Sequence, residues 1–193
     1  ISVGREFGSG GRFIAEELAK RFNIPLYDRH LITEIAEKTG LSPSEIEKYN
    51  EKPKNHLLSR RVNGYSNSIE DNIAEMQFNF LREKAANGES FVVVGRCAET
   101  KLRSFKCLIS LFVLGDMSEK VKRIMNVYEL NEDKAKALID KKDRKRKRYH
   151  NYHCEGHWGD SRLYDLSINS SRLGINRTVD ELEKYVNARI TEE

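Results

Sequence analysis

Gly4, Gly8, Gly10 and Gly11 place a third of the chain's twelve glycines within eight residues. They lie between the apolar Ile1-Ser2-Val3 and a segment whose Phe13, Ile14, Leu18 and Phe22 recur at helical spacing, so the local order reads strand, glycine loop, helix. Such a loop lets successive backbone amides converge on an anion, and the helix dipole adds to the attraction. The chemistry on offer is phosphate binding; the plainer alternative is a tight turn with no ligand. Against the full Walker pattern, two groups are missing. With Gly10 as the last loop glycine, Arg5 stands at the first-glycine position, Gly11 at that of the lysine, and Arg12 at that of the Ser/Thr. The lysine ordinarily bridges the β and γ phosphates and the hydroxyl holds Mg2+. A substitute cation is therefore needed, and Arg12 and Arg5 are the candidates, since a guanidinium is always charged and forked.

Other groups fit a phosphate-bearing partner. Asp28-Arg29 follows the short apolar run Ile24-Pro25-Leu26-Tyr27, either as a functional pair or as an ordinary strand-end ion pair. Arg96 follows Phe91-Val92-Val93-Val94, at the strand end where open parallel sheets bind ligands. Residues 141–148 hold seven basic residues and one acid, a net +6, which leaves the rest of the chain at −2 against a total of +4. An anion is expected there. Arg144 and Arg148 are four apart on that helix and share a face, so both can reach one phosphate chain; the alternative is a solvated basic face. His150, His153, Cys154 and His157 cluster as zinc ligands do but lack paired CxxC spacing, and no metal site is assigned to them. Trp158 reads as an anchor rather than a base-stacking group, and no Ser/His/Asp hydrolase arrangement is identifiable.

Around these groups, 193 residues suffice for one domain, with 33% charged and 38% apolar residues giving a large wet surface. Branched and aromatic residues recur along the chain and the net charge is low, which excludes disorder. The longest apolar stretch, residues 107–114, is too short to span a bilayer. Three cysteines do not make a disulfide scaffold, and no charged leader with an apolar stretch opens the sequence, so a reducing, cytoplasmic setting is expected. The chain starts at Ile1 rather than methionine, which implies that a few native residues precede it. Strands at 24–27, 91–94, 107–114 and 164–169 lack strict alternation and each precedes or follows a helical segment, the pattern of a parallel sheet covered on both faces. A helix is expected from Leu31 to a Gly40 stop, and Ser42-Pro43-Ser44-Glu45 starts another. The polar segment 52–67 reads as a mobile loop, Ser68 as the cap of a helix closed by Gly88, and Asp116-Met117-Ser118-Glu119 and Thr178-Val179-Asp180-Glu181 as further caps.

Arg5-Glu6-Phe7-Gly8-Ser9-Gly10-Gly11-Arg12, Tyr27-Asp28-Arg29, Val94-Gly95-Arg96, Trp158-Gly159-Asp160, Tyr164-Asp165-Leu166 and Asn169-Ser170-Ser171 occur in that order. Together they resemble the cytidylate kinase-like family of P-loop proteins over nearly the whole chain. The resemblance implies the nucleoside monophosphate kinase fold: a three-layer α/β domain with a five-stranded parallel sheet, an acceptor-binding helical insertion, and an arginine-bearing lid over ATP. It divides the chain into a core (1–30, 88–139, 164–193), an insertion (31–87) and a lid (140–163). It further implies Mg2+-dependent phosphoryl transfer from ATP to a nucleoside monophosphate, CMP foremost. Gly8, Ser9, Gly10, Gly11 and Arg12 would bind the ATP phosphates, with Arg12 in the lysine's stead. Asp28, Arg29 and Arg96 would serve the acceptor, and Arg144 and Arg148 the transferring phosphoryl group. The loop departs from the family's Gly-Ser-Gly-Lys after Gly10, and Cys97 replaces the aspartate of its Gly-Arg-Asp. A nucleotide sensor that kept the fold and lost the lysine, and a nucleic-acid binder using the basic helix, are the competing classes. The partners expected are a nucleotide and a small phosphate acceptor, without a membrane.

Overall fold

A computed structural model describes residues 1–28, 31, 36, 42, 44, 61, 62, 65, 66 and 68–191. Strands β1 (Ser2–Arg5), β2 (Leu26–Tyr27), β5 (Val92–Val94), β6 (Ser110–Leu114) and β7 (Leu166–Asn169) form one sheet in the order β2-β5-β1-β6-β7, and every pairing is parallel. The first strand made is thus the central one. Its neighbours place two strand ends, at Gly95 and Gly115, on either side of the loop that follows Arg5.

Strand periodicity divides the apolar residues between two layers. Val92 and Val94 face helices α1 (Gly11–Arg21) and α6 (Ser170–Thr191), with Ile14, Leu18, Val179, Leu182 and Val186 completing that core. Val93 points the other way, into a core with Ile73, Phe80 and Leu81 of α2 (Ile69–Ala86) and with Ala98 of the short α3 (Ala98–Lys101). Helices α4 (Met117–Tyr128) and α5 (Glu132–His153) pack on each other through Val121, Ile124, Ala135 and Ile139. No helix among the described residues is long and apolar enough to cross a membrane.

Some expected boundaries shift. Ser68 caps α2 by accepting from the Asp71 amide, Asn131 caps α5 through the Lys134 amide, and Gly88 follows α2 with φ +75. Asp116 sits at the start of α4 but does not cap it; its carboxylate accepts from Asn169 Nδ2 at 2.8 Å instead. A tertiary partner has won over the local one. Thr178 is not a cap either: α6 starts at Ser170, kinks at Gly174, and buries the Thr178 hydroxyl on the Gly174 carbonyl at 2.6 Å. Within the stretch read as a loop, β3 (Arg61–Val62) and β4 (Tyr65–Ser66) form a small antiparallel ribbon. Leu31 and Ala36 are helical and buried, and Ser44 is helical; most of the helices expected after Leu31 and Ser42 lies outside the described residues.

Candidate active site

The glycine loop is shaped by three constraints. Gly8 and Gly10 have φ of +86 and +83, a region costly for other residues, and a Cβ on Gly10 would overlap Ile175 of α6. Ser9 is fully buried; its Oγ donates to the Glu6 carbonyl (2.9 Å) and accepts from the Gly11 amide (3.3 Å), closing the turn. Behind the loop, Ser170 Oγ donates to the Ser9 carbonyl (2.6 Å) and to the Leu114 carbonyl (3.1 Å). The loop therefore enters α1 rigidly, with the amides of the first turn, which have no acceptor within their own helix, at the mouth of a cleft. That cleft is about 430 Å3 and is lined by residues 5–8 and 10–13 together with Asp28, Arg96, Arg123, Lys142, Lys145 and Arg146 among others. A phosphate-sized anion meets helix-end amides and several cations there.

Arg5 lies where a Walker lysine would begin. A Cβ built on Gly11 would sit 2.5 Å from Arg5 Cβ, and one on Gly95 would overlap Arg5 Nη1. The Arg5 side chain thus runs from β1 past the helix start to the end of β5, through space that two glycines leave open. Arg12 is placed differently. It is half exposed, with Nε 3.0 Å from both Glu16 Oε1 and Asp28 Oδ2, and so is held against carboxylates at the outer rim.

A buried lysine ties the loop to the basic helix. Lys120 Nζ lies 3.0 Å from Glu6 Oε2 and 3.3 Å from Asp143 Oδ2 with its side chain almost wholly enclosed. Asp143 Oδ1 accepts from the Phe7 amide at 2.7 Å, and Glu6 Oε2 from the Gly115 amide at 3.2 Å. Burial raises the Asp143 carboxyl above its ordinary range, against the opposing pull of the Phe7 amide, Lys120 and Arg146. Removing the shared cation leaves two carboxylates facing each other. Lys120→Met is therefore expected to lower folding stability by about 3 kcal/mol. Denaturant unfolding should show a lower midpoint at unchanged slope, and a loss below about 1 kcal/mol would mean the network does not hold the helix.

Arg146 is the basic-helix arginine that enters the cleft. It donates to the Arg5 carbonyl at 3.1 Å and stacks over the Phe7 ring at 5.5 Å. Arg123 of α4 donates to the Gly8 carbonyl. Neither was singled out by sequence reasoning. Arg144 and Arg148, which were, are exposed and lie with Lys147, Asn151 and Tyr152 on a separate surface; Arg144 Nε returns to its own helix at the Asp140 carbonyl. Residues 144 and 148, expected to serve the transferring phosphoryl group, fall about 160° around the helix from 146, so it is Arg146 that lines the cleft beside the glycine loop.

Arg96 is buried and donates to Gln77 Oε1 of α2 at 3.2 Å, linking the β5 end to the expected insertion. Asp28 lines the cleft, whereas Arg29 lies outside the described residues. Of the His/Cys group only His150 and Cys154 come together, beside Glu99. His153 instead stacks among Phe78, Tyr149 and Tyr152, and His157 meets Asn151. Trp158 anchors on Phe112, ring centres 5.7 Å apart.

These features can be set beside known proteins. The model of the family described as "Cytidylate kinase-like family" matches residues 1–172. The chain belongs to the cytidylate kinase-like family. An uncharacterized protein from Eubacterium ventriosum is 38% identical to this cytidylate kinase-like chain, covering 96% of each, with a TM-score of 0.76. Shikimate kinase from Bacteroides thetaiotaomicron is 15% identical over 96% of each chain with a TM-score of 0.56, a likeness of fold. A search of curated proteins gives no match. The cytidylate kinase-like chain thus has the three-layer α/β fold of P-loop kinases, proteins whose shared chemistry is nucleotide-dependent phosphoryl transfer.

In this family member the cleft suits a nucleotide's phosphates: a Cβ would fill the cradle at Gly10, and cations surround it. Two carboxylates line it. Glu6 is engaged by Lys120 and the Gly115 amide and Asp28 by Arg12; Asp28, nearer the rim, would be the carboxylate to meet a nucleotide-bound Mg2+ or one of the several waters that this cation keeps.

Proposed function

We propose that the chain transfers the γ-phosphoryl group of ATP to a small phosphate-bearing acceptor, with CMP as the first candidate. The observation that carries this reading is the exchange of glycine and cation between the two ends of the loop. Where the Walker pattern has glycine first and lysine last, this chain has Arg5 first and Gly11 last, and the Arg5 side chain fills the space that Gly11 leaves. The cation is retained and its point of attachment has moved. Amides at Gly8, Ser9, Gly10, Gly11 and Arg12 would hold the ATP phosphates. Arg5 and Arg146 would neutralise charge as the bond between the γ phosphorus and its bridging oxygen breaks and the acceptor oxygen bonds in line. Mg2+ bound with the nucleotide would supply further charge neutralisation. Catalysis of this kind is mostly positioning and electrostatics.

Asp28, Arg29 and Arg96 are proposed for the acceptor, within a division of core (1–30, 88–139, 164–193), insertion (31–87) and lid (140–163). Arg12 is assigned to orienting Asp28 rather than to the lysine's role, since its guanidinium is already 3.0 Å from that carboxylate. Three free cysteines support a cytoplasmic setting. Measuring ADP release with a panel of nucleoside monophosphates and small hydroxyl compounds tests the reading. Release dependent on CMP supports it, and release dependent on another acceptor corrects the substrate. Tight ATP binding with no turnover across the panel would overturn it in favour of a sensor.

A further inference from the structure

Helix α5 ends at His153, and the next residue, Cys154, packs against the cluster that holds Cys97 at the start of α3. Both cysteines thus belong to one packed cluster with Phe78 and Tyr149. Glu99 and His150 border the pair: His150 Nε2 lies 2.8 Å from Glu99 Oε1, and one atom each of Glu99, His150 and Cys154 fall within 4.8 Å of one another. Cys97, Glu99 and His150 are buried, whereas Cys154 is only partly so, and solvent reaches the pair from its side. The phosphoryl transfer proposed above uses none of these four groups. Polar groups are costly to bury without a purpose.

We propose that Cys97 and Cys154 form a dithiol site oxidised by hydroperoxides, with Cys154 attacking and Cys97 resolving. The roles follow from position and charge. Cys154 is the sulfur a peroxide can approach. The neighbouring Cys97 thiol holds the Cys154 thiol down at about 6 despite its burial, and His150 adds to the effect. Cys154 and burial together raise Cys97, which keeps its proton. A thiolate near neutral pH is the nucleophile such chemistry needs.

In the first step Cys154 Sγ attacks the terminal oxygen of a hydroperoxide. The S–O bond forms, the O–O bond breaks, and the departing oxygen takes a proton from solvent and leaves as alcohol or water. Cys154 is then a sulfenic acid. Cys97 Sγ, losing its proton, attacks the Cys154 sulfur; the S–S bond forms, and hydroxide departs with that proton as water. Two thiols lose two electrons and two protons, and the peroxide gains them. The resulting bond fastens the end of the helix that carries Arg146 to the residue after Arg96.

The test uses the full reduced chain and no nucleotide, so its outcome is independent of the kinase reading. Titration with hydrogen peroxide should take the free thiols from three to one and reduce the intact mass by about 2 Da as two protons are lost. Peptide mapping should join Cys97 to Cys154 and leave Cys107 reduced. Cys97→Ser should stop at a sulfenic acid on Cys154 that dimedone traps. Because a change at the buried Cys97 can disturb folding, the unaltered protein is also alkylated with iodoacetamide at pH 7. Cys154 should react about tenfold faster than the exposed Cys107, and His150→Gln should narrow that ratio. Faster alkylation of Cys107, a disulfide that includes Cys107, or one equivalent of co-purified zinc protecting both thiols would each overturn the proposal, the last in favour of a metal site.

Discussion

Arg5→Met is expected to lower kcat for phosphoryl transfer about 10²–10³-fold, the usual effect of losing one preorganised charge donor. Thermal unfolding should move less than activity does, since methionine fills much of the same space between Gly11 and Gly95. The reciprocal experiment is more discriminating. Gly11→Lys alone places a Cβ 2.5 Å from Arg5 Cβ and should reduce both stability and activity. Combined with Arg5→Gly, it returns the cation to the Walker lysine position and should recover at least tenfold of the activity that Arg5→Gly loses. An Arg5→Met protein that turns over at the parent rate would show that Arg12, or the loop amides alone, suffices.

Arg146→Ala is the second large effect. An arginine that meets the phosphoryl group mainly in the reacting state lowers kcat, here by about 10²-fold, with little change in the acceptor KM. Arg146→Lys should recover only part, because the planar fork that reaches the Arg5 carbonyl and lies over Phe7 is lost. The Arg144→Ala/Arg148→Ala double variant should stay within about twofold of the parent, as befits exposed residues on another surface. The opposite ordering, with the double variant inactive and Arg146→Ala unaffected, would return the phosphoryl-binding role to the pair read from sequence. Loss of oligonucleotide affinity in the double variant, with a flatter salt dependence, would instead mark that surface as a nucleic-acid contact.

The contrast between Arg146 and its neighbours shows what was legible in the residues and what was not. Helical spacing made 144 and 148 a pair, but a pair on a helix does not say which way it faces. The phase was available: Ala135 and Ile139, continued at 3.6 residues, lead to Lys142, Arg146 and Tyr149, the side that turns inward. Seven basic residues in eight obscured that stripe. Strands and most helices were readable because Val92, Val93 and Val94 or the α1 apolar residues carry unambiguous periods. The caps at Asp116 and Thr178 were misread because their side chains answer to Asn169 and Gly174, partners that local sequence does not reveal. Arg5 and Gly11 were visible as departures from a pattern. That the two departures compensate each other could be seen only when the space left by one proved to be filled by the other.

The bracing of the glycine loop by the last helix has a consequence for how the protein is made. Ser170 and Ile175, which hold Ser9 and enclose Gly10, come late after the loop, Ser170 being 161 residues beyond Ser9. The central strand likewise waits for β5 and β6 before either of its edges is covered. During synthesis, at a pace of about 5–20 residues per second, the phosphate loop leaves the ribosome well before the residues that back it. Until those residues emerge, the chain carries the segment that would grip a nucleotide without the support that shapes the grip.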